Sequence, residues 1–294
     1  MNGFILCYKY KKSGSSEGSG SSSGSDLVSL GILSKPISEF SNSDIGTEVS
    51  IPYSNEGSGI SGPIVFEVVG VNHHTTSEHQ KTITLMTKHI IRKAAFDAKE
   101  PNNTDSNRKD KGNNRWSVSN IRQWLNSDGA AGSWWTAQHE YDEAPTSGNV
   151  SDAAGAYADA PGFLAGFSAD VLQHFTDINN ITVLHKVDNG GLSGGGEGTV
   201  DKVFLPSSTE MGYGNLTEGT QLSKFTDEAS RMKKLSSGQN GAYWLRSIER
   251  SIERSVDTEL YNVKRIATIS ARPNFLNNPP YSGYDGIAPI IVLH

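Results

Sequence analysis

The sequence predicts an α+β fold, and three observations carry that expectation. β-branched apolar runs mark strands at Pro63–Val71 (PIVFEVVGV) and Thr82–Ile91 (TITLMTKHII). Apolar spacing then turns helical, with Ile121, Trp124 and Leu125 at i, i+3 and i+4. More short strands follow at irregular distances without a long-period repeat, which argues against regular βαβ alternation.

Taken in order, residues 1–25 stand apart from the rest. Met1–Lys12 mixes apolar and basic residues and reads as one strand, a docking peptide or, together with the linker after it, a disordered tail. Ser13–Ser25 is Ser or Gly everywhere except Glu17, the composition of a flexible tether spanning roughly 20 Å. The boundary falls near Asp26, so the globular domain is expected over 26–294. After the first two strands, the helix at Ile121 is capped by Ser117 or Ser119. A second helix fits Ala169–Phe175, capped by Ser168, with Val171, Leu172 and Phe175 on one face. Gly190–Gly198 reads as a mobile loop. Strands are expected at Lys202–Leu205, Ala242–Arg246, Lys264–Ala271 and Ile287–Leu293, and the mixed segment Thr226–Leu235 fits a helix. The tandem Ser247-Ile-Glu-Arg and Ser251-Ile-Glu-Arg copies read as a surface loop.

Composition narrows the function. The net charge of -6 argues against coating a nucleic acid, which needs a basic face. One cysteine, Cys7, excludes an intramolecular disulfide framework and a thiolate metal cluster. No apolar run is long enough to span a membrane, and Phe4–Cys7 is too short for a signal-peptide core.

Some residues could carry chemistry. His73, His74 and His79, with Glu78 beside them and His89 further on, offer imidazoles for a metal. They bridge two strands with no helix to fix their spacing, so a polar hairpin loop is the preferred reading. Glu100-Pro101-Asn102, with Asn103, Asp105 and Asp110 nearby, offers oxygens for calcium, although turns favour Asn and Asp for their own reasons. No nucleophile elbow, zinc-protease helix or phosphate loop is present, and Asp227 and Glu228 read as a surface pair.

The aromatic residues are more informative. Trp116, Trp124, Trp134, Trp135 and Trp244 are expected mostly in the core. The Trp134-Trp135 pair falls in a loop, where one ring could serve as a sugar-stacking platform. Asn277, Asn278, Tyr281, Tyr284 and Asp285 belong to a long polar loop between strands. That composition suits either an ordinary surface loop or an adaptable binding loop, because tyrosine brings contact area at low entropy cost.

Five stretches occur in an order shared with a known family: Asn114–Asn126 (NRWSVSNIRQWLN), Gly162–Phe167 (GFLAGF), Asp201–Ser207 (DKVFLPS), Tyr243–Ser247 (YWLRS) and Gly286–Val292 (GIAPIIV). Over about 45–294 the chain resembles bacterial and phage domains of unknown function whose C-type-lectin-like fold is shared with formylglycine-generating enzymes. The resemblance implies two helices flanking small twisted antiparallel sheets, with long loops forming a variable binding face at Ser247–Tyr261 and Asn274–Asp285. It also implies a phage tail, fibre or baseplate protein, or a bacterial surface protein.

Departures from that family shape the expectation. The active-site cysteine pair of formylglycine-generating enzymes is missing, since Cys7 precedes the tether, and that chemistry is excluded. In sugar-binding lectins Glu-Pro-Asn sits in the late loop, whereas Glu100 precedes the first helix, so the match reads as coincidence. Arg246 is expected buried and paired. The leading expectation is a non-enzymatic virion protein without a cofactor, displayed in several copies. Residues 1–25 would contact other virion proteins, and the ligand would be a host surface glycan or protein. The alternatives are a capsid or tail decoration protein with no external ligand, and a metal-dependent enzyme using the His73–His79 region.

Overall fold

The computed structural model describes residues 23–184, 195–213, 217–248, 263–269 and 272–294. One antiparallel sheet runs in the order β1 (Glu48–Ile51), β2 (Ile64–Val71), β3 (Ile83–Thr87), β14 (Ile290–Leu293), β7 (Val203–Phe204). β1 is an edge strand and alternates exposed and buried residues. β3 and β14 are buried at every residue, because both of their faces are covered. A second sheet has the order β12 (Arg272–Asn278), β11 (Val263–Ile269), β10 (Tyr243–Ile248), β13 (Gly286–Ile287), β4 (Arg92–Lys93). Its β10–β13 pair is parallel and its other pairs are antiparallel. Ala288 and Pro289 carry the chain from β13 in this sheet to β14 in the first. Two ribbons complete the strands among the described residues, β5 (Ile178–Val183) with β6 (Gly196–Asp201) and β8 (Lys233–Lys234) with β9 (Asn240–Gly241).

The α+β class therefore holds, with four short helices among the described residues where the family resemblance implied two: α1 (Ser23–Ser29), α2 (Ser106–Lys111), α3 (Asn120–Leu125) and α4 (Ala169–Leu172). α1 starts inside the stretch read as tether and buries Leu27 completely. α3 is the helix the sequence marked: Ser119 accepts from Arg122 N at 3.4 Å, and Ile121, Trp124 and Leu125 are fully buried. α4 stops at Leu172, short of the expected Phe175. The chain turns there so that Thr176 N can donate to Val292 O at 2.8 Å and Phe175 can bridge to Leu293.

Other expectations need correction. Gly196 and Gly198, read as loop, pair with Val183 and Ile181 in a ribbon, where small residues accommodate the Ile181 side chain. The first residues of that glycine run, 190–194, lie outside the described residues. Thr226–Leu235 forms only a 3₁₀ turn (Ala229–Arg231) before β8, because its apolar residues lack a helical stripe to bury. Asn274–Asn278 lie on β12 rather than in a loop. Of the expected face at 247–261, Ser247 is buried in β10 and 249–262 lie outside the described residues, as does most of the tandem Ser-Ile-Glu-Arg copy.

Four tryptophans fill the interior, and each indole N–H finds an acceptor: Trp116 with Asp201 Oδ2 at 3.1 Å, Trp124 with Pro161 O at 2.8 Å, Trp134 with Tyr157 O at 3.2 Å and Trp244 with Ala94 O at 2.8 Å. Arg246 on β10 is 1% exposed, and its Nη1 and Nη2 donate to Glu210 Oε2 at 2.6 Å and Oε1 at 3.0 Å. The remaining bonds of that arginine reach Leu205 O and Glu218 O, so one guanidinium ties β10 to the 205–218 segment.

Candidate functional site

The loop after β12, residues 279–285, rests on three other segments. Phe96 N and Asp97 N both donate to Pro280 O, at 2.9 and 3.2 Å, and Ala94 N donates to Asp285 O at 3.0 Å. Ser151 N donates to Tyr281 O at 3.0 Å, and Gly283 N donates to Ser151 Oγ at 3.1 Å. Tyr281 N reaches Lys111 O at the end of α2, at 3.0 Å. The approach of Gly283 to the 151–155 segment leaves no room for a side chain, since a Cβ there would lie 2.4 Å from Asp152 O. Gly283→Ala is therefore expected to lower stability by about 1–3 kcal/mol, read as a lower urea midpoint.

Within the loop, Asp285 is completely buried and serves as its anchor. Its Oδ1 pairs with Arg265 Nη1, and its Oδ2 accepts from Asn278 Nδ2 at 2.7 Å and Ser282 Oγ at 3.3 Å. Asn278 Nδ2 also donates to Ser282 Oγ at 2.8 Å. Tyr284, next to this anchor, is 61% exposed. Tyr281 is half-buried, and Lys99 Nζ stands over its ring at 4.4 Å from the centroid. The arrangement presents one free aromatic ring and one ammonium group from a base fixed by a buried carboxylate.

Several expected site residues have other roles. Asp285 and Asn278 shape the loop from within and are not free to meet a ligand. Asn277 lies on β12, opposite Lys264. Trp134 cannot stack on a sugar, because it is 4% exposed and its ring stacks on Tyr157 at 5.4 Å. Trp135 is half-buried against the core, with its indole N–H buried and without an acceptor. The face of Tyr281 covered by Lys99 is likewise closed to a neutral ring. Lys99, Arg265 and Ser151 were missed by sequence reasoning. Nothing local marks them, since they meet the loop only through contacts across many residues of chain.

The metal candidates are dispersed. His73 and His74 form an edge contact at 4.6 Å, and His74 bonds Thr84 Oγ1 at 3.0 Å and Glu210 Oε1 at 3.1 Å. Burial, together with the His74 beside it, pulls His73 down to about 4. His79 instead stacks on His294 at 3.6 Å. In the calcium candidate, Asp105 caps α2 by accepting from Asn107 N at 2.8 Å, and Asn103 Nδ2 donates to Glu100. Among the described residues, no group of three or more His, Cys, Asp or Glu side chains is arranged to hold a metal ion. Nor is any described helix long and apolar enough to cross a membrane.

Residues 80–294 match the family DUF6273, described as a domain of unknown function. The chain belongs to that family. No curated protein and no solved structure matches it. The DUF6273 match begins at Gln80, yet β1 and β2, which extend its first sheet through β3, precede that point. The 279–285 loop and everything it rests on lie inside the DUF6273 span.

Proposed function

We propose that this DUF6273 chain is a non-catalytic recognition domain of C-type-lectin-like fold that binds a surface glycan through the 279–285 loop. The observation that carries the reading is Tyr284, 61% exposed beside a fully buried Asp285. A large ring offered to solvent from a rigid base loses little freedom on binding, which is what a recognition loop needs. Lys99, held over Tyr281, adds a cation at the same face, so acidic sugars suit it better than neutral ones. The closure of the first sheet by the C-terminal strand β14 against β3, with the loops inserted between, supports the fold reading.

The setting that fits is a virion surface, at a phage tail tip, baseplate or fibre, with a bacterial cell surface as the alternative. Residues 1–25 would attach the domain to neighbouring virion proteins and let it swing, and display in several copies would raise a weak single-site affinity through avidity. The test is binding of the labelled full chain to intact candidate host cells and to non-host cells, with free cell-surface polysaccharide as competitor. Selective binding is expected, lost about tenfold in Tyr284→Ala while the melting temperature stays unchanged. Equal adsorption by that variant would remove the loop from the account. Absence of binding, even from a multimerised chain, would favour a decoration role.

A further inference from the structure

Three carboxylates and one imidazole meet beneath the same loop. Asp97 Oδ2 accepts from Asn113 N at 2.7 Å, and its Oδ1 accepts from Asn120 N at 2.9 Å. The Asn120 side chain links onward, accepting from Ala98 N at 2.9 Å and donating to Asp142 Oδ1 at 3.1 Å. Asp142 Oδ2 accepts from Gln138 N at 2.8 Å. Every oxygen of Asp97 and Asp142 is thus engaged. Glu100 differs: it is completely buried, its Oε2 accepts from Asn103, and its Oε1 has no hydrogen-bond donor. The group facing that oxygen is His139 Nε2 at 3.5 Å, from an imidazole that is 24% exposed. Asn113 Nδ2 also faces His139 Nε2 at 3.5 Å.

Charges of both signs surround the cluster. Arg108 and Asp105 face Glu100 from α2 with opposite effects. Asp142, Arg108 and Arg115 face His139, the carboxylate opposing the two guanidinium groups, and Arg115 is also ion-paired with Glu197. Tyr157 lies against Asp97 from the core, and Lys99 turns away onto Tyr281.

We propose that the Glu100–His139 contact is a proton-operated latch that holds the 136–142 loop against the base of the recognition face while the pair carries a proton and loosens it when that proton leaves. With one proton shared, the pair can form a hydrogen bond and has no net charge. Without it, a bare buried carboxylate faces Asp142 and Asp97, an arrangement that low-dielectric surroundings penalise strongly. Burial, aided by Asp142 and Asp105, pushes Glu100 up to about 7, while burial pulls His139 down. The proton therefore sits on the carboxyl side and leaves near neutral pH. Because the folded-state value is raised, stability from this group is complete below its ordinary 4.5 and is lost as pH rises through about 7. The effect can reach the loop above, since Asp97 N and Phe96 N hold Pro280 O.

The latch does not depend on the recognition reading, and its readout is not binding. Amide exchange of 136–142 in the full chain, corrected for intrinsic rates, is measured at pH 5.5, 7 and 8.5. Protection is expected to fall about tenfold across that range in the wild type and to stay level in Glu100→Gln, whose amide can donate to His139 at every pH. The same fall in Glu100→Gln, or no fall in the wild type, overturns the proposal. Should that variant not fold, the ring resonances of His139 decide. A midpoint shared with the loop's loss of protection supports the latch, and a separate midpoint or none overturns it.

Discussion

Replacing Glu210 with alanine is expected to lower stability by about 3–5 kcal/mol, a large share of what a domain normally has. The carboxylate is 1% exposed and accepts from Arg246 through both oxygens. It also receives Ser207 N at 2.7 Å and contacts His74 Nε2 at 3.1 Å. Removing it leaves a buried guanidinium without its counter-charge, and that uncompensated charge accounts for most of the loss. A urea titration compared with wild type reads the effect, and an unchanged midpoint would contradict this account of the network. Acid should act in the same direction. Burial pushes the Glu210 carboxyl up, but Arg246 and His74 outweigh it and hold it below its ordinary 4.5. With the folded value depressed, its stabilisation is present above pH 4.5 and is lost as pH falls below it. The latch runs the other way, losing stability as pH rises above 4.5, so these two groups together place maximum stability near pH 4.5.

The second large effect is expected at Asp285. Asp285→Ala removes the shared acceptor of Arg265, Asn278 and Ser282 and should cost about 3 kcal/mol. Its value lies in the contrast with Tyr284→Ala. The tyrosine variant should lose ligand binding with an unchanged melting temperature, whereas Asp285→Ala should lower both, because it unpins the loop that presents the ring. If Asp285→Ala melted like the wild type, the anchor role would be wrong. If it bound normally, loop rigidity would not matter to recognition.

The sequence by itself determined the α+β class, the strands at β2, β3, β7, β10, β11 and β14, the helix α3 with its Ser119 cap, and the burial of most tryptophans. These follow from local periodicity, capping chemistry and side-chain size, which neighbouring residues carry. It also marked Arg246 as buried and paired, and the polar loop near the C-terminus. Only the tertiary structure decided which members of that loop face outward. Asp285 and Tyr284 are adjacent and both polar, yet one is buried by Arg265 and Asn278 and the other is left to solvent. The same holds for Lys99 over Tyr281, and for Glu100 with His139, 39 residues later in the chain. β1, β6 and β12 escaped notice because short strands with Asn, Gly, Ser or Arg have weak intrinsic preference, and backbone pairing with distant segments makes them, whereas in β5 the β-branched residues are interrupted by Asn179 and Asn180. Local chemistry writes the elements, whereas burial and charge pairing are properties of what the fold brings together.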